Sequence, residues 1–570
     1  MWGQVQAPQA QWQLPILLVI GFALFAGTVG ARFFRRLRVP QVVGYIAIGA
    51  LLGKSGLGAI DDAAIDNLLP FNFFALGVIG FLIGGELRGE VFRRHGWQFL
   101  TILLSQGIGA FLVVSILVSL TGLLVTRDLA TSAALGLVIG AIASATAPAA
   151  TVNVLWEYKT RGPLTTAVYA MVALDDGLAL ILYAFAFSIA SGIIGAPTGG
   201  VFAFVGPVAR KLIGAAAMGV AAGYLLNFVL RRVRDPELSL TITIGTLALV
   251  LGGALALELD LILAAMTLGA ALVNLAPRRS QQAFHIVQRF AAPIYVLFFV
   301  VAGARLHLGG MQLWMWVLAG PYLVGRIAAK VAGAHLGARW AGAGPSVRKY
   351  LGWCLFCQGG VAVGLSILAS VGFSKEMPGP VGKQLGDAII MMVAVTTFIV
   401  ELAGPPFVRL AVKRAGEVGL DVTEEDLMNS YRVADMVNRK APVFAENTTL
   451  ATILGTIAET DAMCYPVTNA AGKLTGIIRI PELKQSFGSA GLQDWLVAMD
   501  VMQPVPDTIT ADAPLVEAVT RMREQHLDYL PVVKADDNSA LEGMLELRAV
   551  DRALSGEVLR RHRLAEAAEA

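Results

Sequence analysis

Two adjacent aspartates, Asp175 and Asp176, stand inside the apolar run YAMVALDDGLALILYAFAFSIA. A carboxylate pair in such surroundings can hold a proton or a hard cation. At the centre of a bilayer each carboxylate carries an insertion penalty of about 2.5–3.5 kcal/mol, so the pair calls first for a functional explanation. A second pair of charges, Arg326 and Lys330, lies one helical turn apart in LWMWVLAGPYLVGRIAAKVAGAHLGARW. Lys330 is too deep in that run for its ammonium to reach water easily. An opposite charge nearby is the cheapest compensation, so Lys330 is expected to face an aspartate of the Asp175–Asp176 run.

The elements that must position these charges are membrane helices. The chain has 570 residues, 56% of them hydrophobic and 15% charged, where a soluble domain is about a quarter charged. Repeated apolar runs of helical length mark a polytopic all-α membrane protein. Hydropathy gives about thirteen spans, near 15–34, 39–57, 68–88, 99–126, 130–156, 162–191, 200–230, 238–256, 260–276, 287–306, 312–338, 347–372 and 384–408. Alternate loops are basic, with Arg32, Arg35, Arg36 and Arg38, then Arg88, Arg93 and Arg94, then Lys159 and Arg161, and so on to Lys413 and Arg414. The positive-inside rule then sets the N-terminus outside and the C-terminus in the cytoplasm. Arg210 and Lys211 fit this pattern least well. A net charge of +3 says nothing about nucleic acid, since the basic residues cluster at loops rather than in one patch, and no nucleic-acid partner is expected. Three cysteines make no disulfide framework, and the first 14 residues lack the Lys or Arg of a cleavable signal peptide.

Two spans are interrupted. The fifth contains IASATAPAAT, with Ser144, Thr146 and Pro148, and the twelfth contains CLFCQGG, with Cys354, Cys357, Gln358, Gly359 and Gly360. Such breaks free backbone groups at membrane depth, tolerable only in a protein interior or a wet cavity. Broken helices at matching positions of inverted repeats mark ion sites in transporters. A shift of seven spans carries the fifth onto the twelfth, and an odd shift reverses orientation. The aspartate span would then map onto the thirteenth, which carries Asp387 and Glu401. Small residues at a helix break account for Cys354 and Cys357 without a redox or metal role.

The segments RVPQVVGYIAIGALLG, FLIGGEL, SATAPAAT, ALDDG, GRIAAKVAGAHLGA and CQGGVAVGLS, in that order over about 40–410, resemble the monovalent cation:proton antiporter family, in its sodium/proton exchanger and potassium-efflux branch. The resemblance implies a homodimer with a mobile core domain and two crossed broken helices, working by elevator-type alternating access. It implies Asp176 as the principal ion-binding carboxylate and Asp175 as the partner of Lys330. The double aspartate is similar to electrogenic exchangers, whereas glutathione-gated potassium systems tend to carry Gln at the first position. Ala147 departs from relatives that carry an acid before the proline, which asks more of Thr146, Ser144 and the freed carbonyls. A buried carboxylate beside a like charge can hold a proton or a sodium or potassium ion at cellular pH, but not both. Exchange is then competition for one site.

Past residue 415 the composition turns polar and the chain repeats. Asp435-Met-Val-Asn parallels Asp500-Val-Met-Gln, and Tyr465-Pro-Val parallels Leu530-Pro-Val, at an offset of 65; Gly476 parallels Gly543 at 67. Each unit reads as a helix, a strand ending in Pro-Val, a turn, a Gly-led strand and a helix. The run HLDYLPVVKADDNSALEGMLELRAVDRAL resembles a cystathionine-β-synthase (CBS) domain, which implies an α+β tandem module and an adenine nucleotide as regulator. The ribose-binding positions would be Arg479, Glu482 and a displaced Asp551, a degraded signature equally suited to a dimerisation platform without ligand. The expected organisation is a membrane domain over 1–414, a linker over 415–432, a tandem module over 433–557 (units 433–490 and 498–557) and a tail over 558–570. The reading is a multi-pass antiporter of the cytoplasmic membrane that takes sodium, or potassium in an efflux role. It is not an enzyme and requires no cofactor or resident metal. A ligand-gated channel and a transport-free sensor are the rival classes.

Overall fold

The computed structural model describes residues 15–37, 39–53, 56–87, 89–194, 201–233, 235–304, 313–376, 380–460, 462–481, 483, 495–535 and 540–569. The chain divides into two compact units, Met1–Val418 and Gly419–Ala570.

The first unit is helical: α1 (Ile16–Arg36), α2 (Gln41–Leu52), α3 (Asp62–Asn67), α4 (Leu69–Glu86), α5 (Gly89–Thr126), α6 (Leu129–Ser144), α7 (Pro148–Glu157), α8 (Pro163–Ile193), α9 (Val201–Leu230), α10 (Pro236–Ala256), α11 (Leu261–Leu275), α12 (Pro277–Ala304), α13 (Leu313–Trp340), α14 (Pro345–Tyr350), α15 (Gly360–Glu376) and α16 (Pro380–Ala415). Among the described residues nine helical stretches are long and apolar enough to cross a membrane, with α2, α11 and part of α15 as shorter apolar helices. Each of the thirteen expected spans falls on one helix or on an interrupted pair. Helix starts are set by side-chain caps where loops allow them: Asp128 accepts from Thr131 N at 2.9 Å, and Asp260 from Leu263 N at 2.7 Å.

Helices in a bilayer gain little from hydrophobic burial against one another, so close backbone approach has to hold them. Glycines supply it in reciprocal pairs. A Cβ at Gly49 of α2 would overlap the Val300 carbonyl of α12, and one at Gly303 would overlap the Ile46 carbonyl. Gly84 of α4 and Gly269 of α11 repeat the arrangement against Met266 and Phe81. Two apolar cores result. One joins α1, α2, α4, α11 and α12 with the start of α8, and the other joins α5, α6, α13, α15 and α16.

Both predicted interruptions are present. Proline has no N–H and its ring clashes with the carbonyl four residues earlier, so Pro148 ends α6 at Ser144 and opens α7, with Ala145–Ala147 outside any helix. The second break runs from a 3-10 turn, Leu351–Cys354, through the non-helical Leu355–Gly359, to α15. The two breaks meet, and Ala147 N donates to the Cys357 carbonyl at 3.0 Å.

The second unit contains two three-stranded sheets. In one, β1 (Phe444–Ala445) runs parallel to β2 (Cys464–Thr468), which pairs antiparallel with β3 (Leu474–Arg479). The other repeats the order with β4 (Ile509–Thr510), β5 (Tyr529–Val533) and β6 (Leu541–Glu546). The copies are laced together by the same exchange: Asn438 and Met544 trade backbone hydrogen bonds of 2.9 and 3.1 Å, and their counterparts Gln503 and Ile477 trade 2.8 and 3.0 Å.

Candidate functional site

The aspartates sit on α8 beside the break in α6–α7. Lys330 of α13 reaches across, its Nζ 2.7 Å from Asp175 Oδ2, with both side chains fully buried. The same ammonium donates to Thr146 Oγ1 at 2.7 Å and to the Ser144 carbonyl. That carbonyl is the one Pro148 releases, four residues before it. Thr146 Oγ1 donates in turn to Asp175 Oδ2, and Gln106 Nε2 of α5 donates to Asp175 Oδ1 at 2.6 Å. Asp175 is therefore saturated by a lysine, a hydroxyl and an amide. Asp176, its neighbour, keeps partial exposure. No hydrogen-bond donor to Asp176 is found among the described residues. The two carboxylates, alike in sequence, have different surroundings.

Asp260, at the start of α11, is a second like charge within electrostatic range of Asp176, and Lys211 is within range of Asp260. Lys211, an outlier in the loop-charge pattern, thus has an acid in reach.

Arg326, one turn before Lys330, lies fully buried at the crossing of the breaks. Its Nε donates to Ala143 O at 3.1 Å and its Nη2 to Ala145 O at 2.8 Å, on the α6 side. On the other side Nη1 donates to Phe356 O at 2.6 Å and Nη2 to Cys357 O at 3.2 Å. A planar guanidinium with five donors suits carbonyls arriving from two directions, which a lysine would not serve. At the breaks the carbonyls of Ala143, Ser144, Ala145, Phe356 and Cys357 are thus held by two cations.

Gln358 donates to the Tyr322 hydroxyl and to Ile142 O at 3.3 Å. At Gly359 a Cβ would stand 2.8 Å from Ala147 Cβ and 3.5 Å from Glu401 Oε1, so the crossing has no room for a side chain there. Gly360 opens α15 directly after it. Cys354 and Cys357 are free, buried thiols, and no group of three or more metal-ligating side chains occurs among the described residues.

In the second unit Arg479 donates to Gln503 Oε1 at 2.7 Å through Nη2, and Asp551 pairs with Arg523 at 3.2 Å, largely in solvent. Glu482 lies outside the described residues.

Sequence reasoning did not single out Gln106, Tyr322 or the carbonyl-holding role of Arg326. Gln106 could have been noticed as a lone amide in the apolar run FLTILLSQGIGAFLVV, since a polar group there needs a partner. Arg326 could have been matched to the stranded carbonyls by donor count.

A structure of the sodium proton antiporter MjNhaP1 from Methanocaldococcus jannaschii at pH 8 is similar to this one with a TM-score of 0.51 and 16% identity, over 70% of this chain and 98% of that chain. An electron-microscopy map of the same antiporter gives a TM-score of 0.55 at 17% identity, over 72% and 98%. At these identities the likeness is one of fold. CBSX2 in complex with AMP aligns over 22% of this chain and 97% of that chain, with 23% identity and a TM-score of 0.20. Residues 433–486 and 497–556 match the CBS domain family, and residues 20–410 match the sodium/hydrogen exchanger transmembrane family. The chain belongs to the sodium/hydrogen exchanger family, a multi-pass membrane protein of cation:proton antiporters, and carries a CBS pair in its C-terminal part.

Proposed function

We propose that the chain exchanges sodium for protons across the cytoplasmic membrane, electrogenically and by elevator-type alternating access, with Asp176 as the carboxylate that takes cation and proton in turn. One observation carries this reading. Asp175 Oδ2, Thr146 Oγ1 and the Ser144 carbonyl converge on Lys330 Nζ, an ammonium among three oxygens. Oxygen ligands of that kind are what a hard cation takes, and Asp176 stands next to them in sequence with no donor of its own among the described residues.

A cation arriving at Asp176 competes with its proton and, by claiming Asp175, Thr146 and the Ser144 carbonyl, displaces the ammonium. Lys330, without its counter-ion in a buried site, then releases a proton. Two protons would leave for one cation, which makes the cycle carry charge. When the cation departs on the other side, Lys330 regains its proton and its place. Gln106 keeps Asp175 oriented in both states, and Arg326 keeps the two breaks joined while the oxygen set changes occupant.

The module is proposed to regulate exchange by binding an adenine nucleotide near Arg479, Glu482 and Asp551, in a homodimer with its N-terminus outside and the module in the cytoplasm. Potassium, in an efflux role, is the alternative cation. The test is dye-reported proton movement in proteoliposomes offered sodium, potassium or lithium. Asp176→Asn should abolish exchange, and full exchange in that variant overturns the site assignment. Lys330→Gln should spare exchange but abolish its charge movement; unchanged charge movement overturns the lysine step. Single-channel currents would turn the reading to a channel.

A further inference from the structure

The helix that carries the aspartates begins without a cap of its own. Gly162 precedes α8 and offers no side chain, and Pro163 at the first position has no N–H. The next two amides, of Leu164 and Thr165, donate to Glu417 Oε1 and Oε2 at 2.8 Å each, and Thr165 Oγ1 adds a bond of 2.7 Å to Oε2. Glu417 is 2% exposed. Its own carbonyl accepts from Arg161 N at 3.1 Å, just before α8 starts. Gly162, at φ +150°, makes the approach possible: a Cβ there would stand 2.6 Å from Glu417 Cδ. A carboxylate bonded to the first amides of a helix satisfies donors with no other partner and meets the positive end of the helix dipole.

The location of this cap is unusual. Glu417 follows the end of α16 at Ala415 and stands two residues before Gly419, where the second unit begins. Gly416 at φ +77° and Gly419 at φ +72° bracket it, so the chain turns on both sides of the cap. Asp175 lies twelve residues along α8 from Pro163, about 18 Å at the rise of an α-helix. A helix transmits an axial shift over that length with little loss.

We infer that Glu417 is a positioning residue for exchange, a latch tying the aspartate helix to the segment that leads into the C-terminal module, so that a change of state in the module reaches Asp175 and Asp176 through this cap. The inference rests in part on the proposed regulatory role of the module, and its test separates the two. Full-length protein in proteoliposomes is compared as wild type, Glu417→Ala, Glu417→Gln, and with a five-residue Gly/Ser spacer between Val418 and Gly419.

Without any ligand, Glu417→Ala should raise hydrogen exchange at Leu164 and Thr165 by roughly tenfold, the effect of losing one cap, and should shift the pH profile of transport. Glu417→Gln, which keeps one acceptor oxygen but sets an NH2 against the second amide and carries no charge, should restore part of both. Wild-type protection and an unshifted profile in Glu417→Ala overturn the latch. With 1 mM AMP as probe, the spacer and Glu417→Ala variants should lose the response of transport to the nucleotide while calorimetry still finds AMP bound. A wild-type response in either variant overturns the latch. A wild type whose transport ignores AMP overturns the regulatory reading, and the ligand-free comparison then decides the latch by itself.

Discussion

The two sheets of the C-terminal unit are near-replicas, down to glycine facing valine in Val467↔Gly476 and Val532↔Gly543 and an irregular step at the next residue in both. The two helix breaks of the membrane unit are also a matched pair, yet share almost no residues. One is made by Pro148, the other by a 3-10 turn and the Gly359–Gly360 pair. The contrast comes from where unpaired backbone groups can go. In the sheets each copy satisfies its own backbone, and the ends pair with the other copy, so the same geometry has to be built twice. In the membrane unit both breaks are buried, so neither leaves its carbonyls to water. One guanidinium serves both, so the two breaks need only present acceptors to Arg326 and can differ in everything else.

The largest effect in the molecule accordingly belongs to Arg326→Ala. Ala143, Ala145 and Phe356 would each lose a donor, at about 1–3 kcal/mol per stranded buried acceptor. That is comparable with the whole margin of a folded domain, about 5–15 kcal/mol. Arg326→Ala should lower the yield of folded protein and its unfolding temperature in detergent, and Arg326→Lys should recover only part of both. A stable Arg326→Ala protein would mean that each break satisfies itself, as the sheets do.

The two breaks should then respond differently to mutation. In Gly359→Ala the new methyl meets Ala147 Cβ at 2.8 Å, an overpacking worth about 1–3 kcal/mol, and the crossing should loosen. Pro148→Ala removes no contact of that kind. It gives residue 148 an N–H that can take back the Ser144 carbonyl from Lys330, joining α6 to α7. The expectation is a near-normal unfolding temperature with exchange lost, against a lowered temperature for Gly359→Ala. Equal effects on both measurements would mean that the breaks are interchangeable.

Much of this was legible in the sequence because cost is legible. Apolar runs of helical length give the spans, and Pro148 and Gly359–Gly360 give the breaks. The 65-residue offset gives the doubled sheet. Lys330 called for an acid because a lone ammonium in an apolar run has few other answers. What could not be read was the sharing of partners. Nothing in IASATAPAAT or CLFCQGG shows that both would be held by an arginine from a third helix. Nor does the chain show that the cap of α8 arrives from residue 417. Those contacts join residues 30 to 253 positions apart, and neither periodicity nor composition carries such distances. The division between Asp175 and Asp176 was suggested by resemblance; the donors around Asp175 give it a physical basis.

The smallest effect tests how far the replica relation extends. In the helix Leu547–Glu569, Glu557 accepts from Arg560 Nε and Nη2 at 2.7 Å each and from Arg561 Nε at 2.8 Å. These bonds, Arg560 first, pull its carboxyl down from 4.5 to about 2. The first copy has no such clamp in sequence, since the offset of 67 puts Ala490 in the place of Glu557. A carboxylate whose folded value is lowered adds stability that is fully present above its unfolded value, and that stability is lost as pH falls from about 4.5 toward about 2. Arg560, the larger contributor, is largely in solvent, so the gain is screened and small. Hydrogen exchange of this helix in the full-length protein, corrected for the intrinsic effect of pH, should therefore lose protection below pH 4.5 in the wild type. The loss should be shallower in Glu557→Gln. Equal slopes would mean that the clamp contributes nothing to the stability of this helix.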